Sequence, residues 1–133
     1  MKPTSVMIVE YNTDLRNTLM HAFEDRGYIT WTFPSADIAV SIFATIQPLV
    51  IVLDLDVVGS QAVEMIEACK EQCPYASLIV ESSTADSARI QEAIEHGAEA
   101  FLSKPYAMEP LFEIIDKKIL STAPTLIPIN QAA

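Results

Sequence analysis

Residues 49–56 read Leu49-Val50-Ile51-Val52-Leu53-Asp54-Leu55-Asp56. Five apolar residues in an unbroken run, introduced by Pro48, describe a strand buried on both faces. Asp54 then falls where the strand leaves the core, at the carboxyl edge of a sheet. Open α/β sheets bind their ligands at that edge. A carboxylate there serves as a nucleophile, a metal ligand or a helix cap, and its neighbours decide which.

Working outward, the same pattern recurs. Ser5 to Glu10 is an apolar strand ending in an acid. Asn12 or Thr13 can cap the helix that follows, which carries Leu15, Leu19, Ala22 and Phe23 on one face and stops at Gly27. Tyr28 to Phe33 alternates as a second strand, with Trp31 read as a packing aromatic. Ser35 caps a helix bearing Ala36, Ala39, Val40 and Phe43, which Gln47-Pro48 ends. After Asp56, Val57 to Ser60 reads as a short loop. A helix over 61–72 buries Val63, Ile66 and Cys69, and Ser77 to Ser82 forms a fourth strand interrupted by Glu81. Asp86 or Ser87 caps a fourth helix that closes at Gly97. Ala100 to Ser103 is a fifth strand, followed by Lys104-Pro105 and a last helix with Leu111, Phe112, Ile115 and Ile119. Tyr106 reads as a packing aromatic. Five strands alternating with five helices require a parallel sheet covered on both faces, an α/β doubly wound fold.

The chain has 133 residues, enough for one domain with a full core, and half of them are hydrophobic. A net charge of −10 argues against a nucleic-acid surface and fits binding of cations or of a basic partner. No apolar run approaches a membrane span and no signal peptide is evident, so a cytoplasmic location is expected. Cys69 and Cys73 lie one helical turn apart, a poor geometry for a disulfide, and read as free thiols. The organisation expected is a domain over 1–120 and a tail or linker over 121–133.

Reading only strand ends brings Glu10, Asp54 with Asp56, Ser82 with Ser83, and Lys104 to one edge. Acids there can hold Mg²⁺. A lysine supplies positive charge to a phosphoryl group, and a hydroxyl can bond its oxygens. Together they describe an aspartate that accepts a phosphoryl group.

On these residues the chain resembles the receiver domain of bacterial two-component response regulators, over roughly 5–120. The resemblance rests on Val6-Met7-Ile8-Val9-Glu10 with Asp14-Leu15-Arg16, on Pro48 to Asp56, on Ser82, on His96-Gly97-Ala98, and on Phe101-Leu102-Ser103-Lys104-Pro105-Tyr106. It implies the strand order 2-1-3-4-5. It implies Asp54 as phosphoacceptor, Lys104 as the partner of the phosphoryl group, and Ser82 with Phe101 as the switch pair. Glu10, Asp54 and the main-chain carbonyl of Asp56 are implied as Mg²⁺ ligands, with Asp56 and Thr84 tuning hydrolysis. The implied partners are a sensor histidine kinase or phosphotransfer protein, and an output domain or second copy reached through the fourth helix, fifth strand and fifth helix.

The sequence departs from the family at Tyr11, where a second acid normally binds Mg²⁺. A phenol is a poor ligand for a hard cation, so weakened metal binding is expected. Two functions follow: a receiver that accepts a phosphoryl group on Asp54, or a pseudo-receiver kept for protein contacts. An aspartate-nucleophile phosphatase is the enzyme alternative, since Asp54-Leu55-Asp56, Ser82 and Lys104 parallel its residue types. That family carries its acid pair on the first strand and needs further acids at a strand end after the lysine, and nothing after Lys104 supplies them before the last helix. A flavin-binding flavodoxin is a weaker alternative, since no Ser/Thr/Gly-rich phosphate loop follows the first strand. A signalling module, not an enzyme, is expected.

Overall fold

The structure, a computed structural model, describes residues 4–58, 61–84 and 86–122. Its five strands are β1 (Ser5–Val9), β2 (Ile29–Phe33), β3 (Val50–Asp54), β4 (Ser77–Ser82) and β5 (Ala100–Ser103). They form one parallel sheet in the order β2-β1-β3-β4-β5. The helices are α1 (Thr13–Asp25), α2 (Ala36–Ile46), α3 (Ala62–Gln72), α4 (Ser87–Glu95) and α5 (Met108–Thr122). The expected tail lies almost wholly outside the described residues.

Side chains alternate across a strand, and the two faces of the sheet bury two separate clusters. Met7, Val9, Ile51, Leu53, Leu78 and Val80 meet Ala39 and Phe43 of α2, Ile66 and Cys69 of α3, and Ala93 of α4. On the opposite face Val6, Ile8, Val50, Val52 and Ile79 meet Leu19 and Phe23 of α1, and Leu111 and Ile115 of α5. All of β3 is buried, as an unbroken apolar run requires.

Asn12 caps α1, its side chain accepting from the Leu15 N–H at 2.9 Å, and Asp86 caps α4 by accepting from Arg89 N–H at 2.8 Å. Ser35 stands at the N-cap of α2 but its hydroxyl makes no capping bond. Gly97, with φ of 126°, turns the chain after α4 in a backbone region closed to most side chains, and a Cβ there would meet Lys70 Cγ at 2.7 Å.

Two expectations need correcting. Leu55–Val58 forms a helical turn, so the segment expected to be a loop opens helically; Gly59 and Ser60 lie outside the described residues. Trp31 is 44% exposed. It stands on β2, which among the described residues is an edge strand paired with β1, and is not a core aromatic.

Candidate functional site

The parallel register brings the strand ends to one level. Asp54 pairs with Glu81 across β3 and β4, and Ser82 with Ser103 across β4 and β5. Alternation then sorts the polar residues. Glu10, Asp54, Glu81 and Lys104 continue the rows of Val6 and Ile8, Val50 and Val52, Ile79, and Ala100 and Leu102, on the α1–α5 side. Ser82 and Phe101 continue the rows on the α2–α4 side, where Phe101 packs against the core.

The turn from β1 into α1 is fixed by three bonds. Glu10 Oε2 accepts from Asn12 N–H at 2.9 Å, and Arg16 Nη1 donates to the carbonyls of Glu10 at 2.9 Å and Tyr11 at 3.2 Å. Asp54 Oδ1 accepts from Asp56 N–H at 2.9 Å, which starts the helical turn, and Oδ2 lies 3.4 Å from Tyr11 N. Lys104 is drawn to the edge by its own N–H, which donates to the Ser82 carbonyl at 2.9 Å. Its Nζ stands 3.0 Å from Asp54 Oδ1, 3.0 Å from Glu10 Oε1, 3.5 Å from Asp56 Oδ2 and 4.0 Å from Glu81 Oε1.

Asp56 bridges the two sides of the sheet. Its Oδ1 accepts from Ser82 Oγ at 2.7 Å and its Oδ2 from Ser83 N–H at 3.0 Å. Ser82 is fully buried while Ser83 and Thr84 are exposed, so of the three neighbouring hydroxyls Ser82 is the inward one. Thr84 closes the turn by donating its N–H to Ser82 Oγ at 3.0 Å.

Sequence reasoning marked Glu81 as an interruption of β4 close to the site but missed it as a further polar member. Glu81 is fully buried and accepts a hydrogen bond on Oε2 from the Tyr106 hydroxyl. Tyr106 packs against the α1–α5 core as expected, but its hydroxyl also reaches into the site. The available signal was the one acid in a six-residue strand buried throughout, since a buried carboxyl must find partners.

Burial and neighbours set the charges. Burial, reinforced by Glu10, pushes the Asp54 carboxyl up to about 6 against the pull of Lys104. Burial and the adjacent Glu10 push Glu81 up to about 9, so it holds its proton at neutral pH. Burial opposes ionisation of Glu10 as well, but hydrogen bonding to Glu81 and Asp54, to Asn12 N–H and to Lys104 keeps it below the ordinary range. For Asp56, burial is outweighed by Ser82 and Ser83, which hold it low. Burial alone would lower Lys104; Asp54 and Glu10 overcome it and raise it further above its ordinary value.

Oxygens of Glu10, Asp54 and Glu81 lie within 4.8 Å of one another, and of these three Glu10 and Asp54 line the cavity while Glu81, which holds its proton, does not. Hard oxygen donors of this kind fit a divalent cation such as Mg²⁺. Tyr11 stands 73% exposed at the rim of a cavity of about 690 Å³ over Glu10, Asp54, Asp56 and Lys104.

The model of the response regulator receiver domain family matches residues 6–116. The chain belongs to that family. Receiver domains work in two-component phosphorelays, interacting with histidine kinases or phosphotransfer proteins and with output domains, and they bind Mg²⁺ through an acidic cluster. As a class they are signalling modules. This receiver domain is 27% identical over 116 residues to the nitrogen assimilation regulatory protein NtrX of Azorhizobium caulinodans, covering 86% of this chain and 26% of that protein. It is 23% identical over 117 residues to sporulation initiation phosphotransferase F of Bacillus subtilis, covering 88% of this chain and 94% of that one. The chain thus spans about a quarter of NtrX and nearly all of the sporulation protein. A CheY-like receiver domain protein from Methanospirillum hungatei has the same fold, with a TM-score of 0.83 and 18% identity over 90% of this chain and 96% of that one. Among the described residues no helix of this receiver is long and apolar enough to cross a membrane.

Proposed function

We propose that this receiver domain accepts a phosphoryl group on Asp54 from a phosphohistidine of a sensor kinase or phosphotransfer protein. The observation that carries the reading is the placement of Lys104 Nζ 3.0 Å from Asp54 Oδ1, at the base of an open cavity. A carboxylate oxygen of Asp54 attacks phosphorus, the P–N bond breaks, and the imidazole leaves with the electron pair and takes up a proton. Lys104 offsets charge on the transferred oxygens. Mg²⁺, held by Glu10, Asp54 and the Asp56 carbonyl, would supply further positive charge, at reduced affinity because Tyr11 adds none of its own.

Ser82 leaves Asp56 to donate to a phosphoryl oxygen, and Phe101, on the same side of the sheet, repacks into the space released. The signal then leaves through α4, β5 and α5 toward an output domain or a second copy. Asp56 and Thr84, beside the acyl phosphate, tune its hydrolysis. A domain charged by an ATP-dependent kinase works in the cytoplasm.

A pseudo-receiver that acts through protein contacts alone is the second reading, favoured by Tyr11, the exposed phenol where the family has an acid. Beryllofluoride with Mg²⁺ separates the two by amide NMR. Shifts at Ser82 and Phe101 support acceptance on Asp54; an unchanged spectrum there supports the pseudo-receiver.

A further inference from the structure

Glu81 and Tyr106 stand outside the chemistry assigned above, yet they lie directly beside Lys104. The segment after β5 is tied down twice within three residues. The Lys104 N–H donates to the Ser82 carbonyl of β4 at 2.9 Å, and the Tyr106 hydroxyl donates to Glu81, also on β4. Between these two ties runs the Lys104 side chain, whose ammonium is 4.0 Å from Glu81 Oε1 and 3.0 Å from Glu10 and Asp54. Glu81 is fully buried, does not line the cavity over Asp54, and shares a hydrogen bond with the neighbouring Glu10 carboxylate. A buried acid is costly in an apolar strand, and packing alone would favour valine or isoleucine there.

We propose that Glu81 and Tyr106 are positioning residues that clamp the segment after β5 onto β4 and so hold the Lys104 ammonium against Asp54. The ring of Tyr106 anchors the clamp in the α1–α5 core, and its hydroxyl fixes the Glu81 carboxyl. Glu81, a neutral carboxyl at pH 7, then closes the fourth side of the space in which Glu10, Asp54 and Asp56 hold the ammonium. A lysine stem has four rotatable bonds and would otherwise swing toward solvent. The consequence for phosphoryl transfer rests on the reading of Asp54 as acceptor; the positioning of Lys104 does not.

Lysine-selective ¹⁵N NMR of the full chain, without any phosphoryl donor, tests the positioning directly. Wild-type protein should show a protected Lys104 ammonium signal. Tyr106→Phe keeps the ring and removes the tie; it should speed exchange of that ammonium by about tenfold or more, the weight of one hydrogen bond to a charged network. Glu81→Gln keeps an oxygen to accept from Tyr106 and should retain most of the protection, whereas Glu81→Met should lose it. Amide shifts of β1 and β3 report whether each variant is folded. Should Glu81→Met not fold, Tyr106→Phe against Glu81→Gln decides the matter. Unchanged Lys104 exchange in folded Tyr106→Phe, or equal loss in Glu81→Gln, would overturn the proposal. If wild-type Asp54 takes up no phosphoryl group but the ammonium signal behaves as stated, the clamp stands and the acceptor reading falls.

Discussion

Lys104 Nζ and Asp54 Oδ1 lie 3.0 Å apart at the carboxyl edge of the sheet, the carboxylate 1% exposed and the lysine 16%. Such a pair is held by mutual attraction against the cost of burying both charges, and removing one partner leaves the other uncompensated. Lys104→Met should therefore lower stability at pH 7 by about 3 kcal/mol. The loss should shrink but not vanish at pH 5, because Asp54, already pushed up to about 6, is then protonated while Glu10 and Asp56, held low, still face the lysine. Urea unfolding at the two pH values checks both size and sign; a loss that does not depend on pH would mean that Glu10 and Asp56, not Asp54, carry the pairing.

The site was legible in the sequence to the extent that each member ends a strand. The apolar run up to Asp54, the hydroxyl closing β4 and the lysine after β5 all mark a chain leaving the core. Alternation then fixes which side of the sheet they take. Glu81 was legible as an interruption in an apolar strand, but not as a member of the site. Its role depends on the register that sets it opposite Asp54 and on Tyr106 reaching back from beyond Lys104. Neither is local in sequence. Trp31 misled for a related reason, since the alternation of β2 looks the same whether one neighbouring strand or two lie beside it.

Glu81 also gives the domain a pH signature. Its folded value of about 9 exceeds the ordinary 4.5, so the native state binds the proton more tightly than the unfolded chain does. The stability this contributes is full below about 4.5 and is lost as pH rises toward 9. Glu81→Gln, which cannot ionise, should flatten that decline and be more stable than wild type at pH 9 by about 1 kcal/mol or more. Thermal unfolding with chelator present, from pH 6 to pH 9, measures it. Parallel curves for the two proteins would mean that Glu81 carries no such strain.

Tyr11 is the position at which metal affinity should be most easily changed. Its exposed side chain stands at the cavity rim beside Glu10, and Asp there would add a hard anionic oxygen near Asp54. Tyr11→Asp should tighten Mg²⁺ binding by about tenfold, the gain of one charged ligand interaction. Calorimetric titration of both proteins tests this, and equal affinities would mean that the side chain at position 11 does not reach the cation.

Acceptance of a phosphoryl group on Asp54 is tested most directly by intact-protein mass spectrometry after incubation with phosphoramidate and Mg²⁺. Wild-type protein should gain the mass of one phosphoryl group, with the adduct mapped to Asp54, and Asp54→Asn should gain none. A wild-type protein that stays unmodified under saturating donor and Mg²⁺, or an Asp54→Asn protein modified to the same extent, would contradict it.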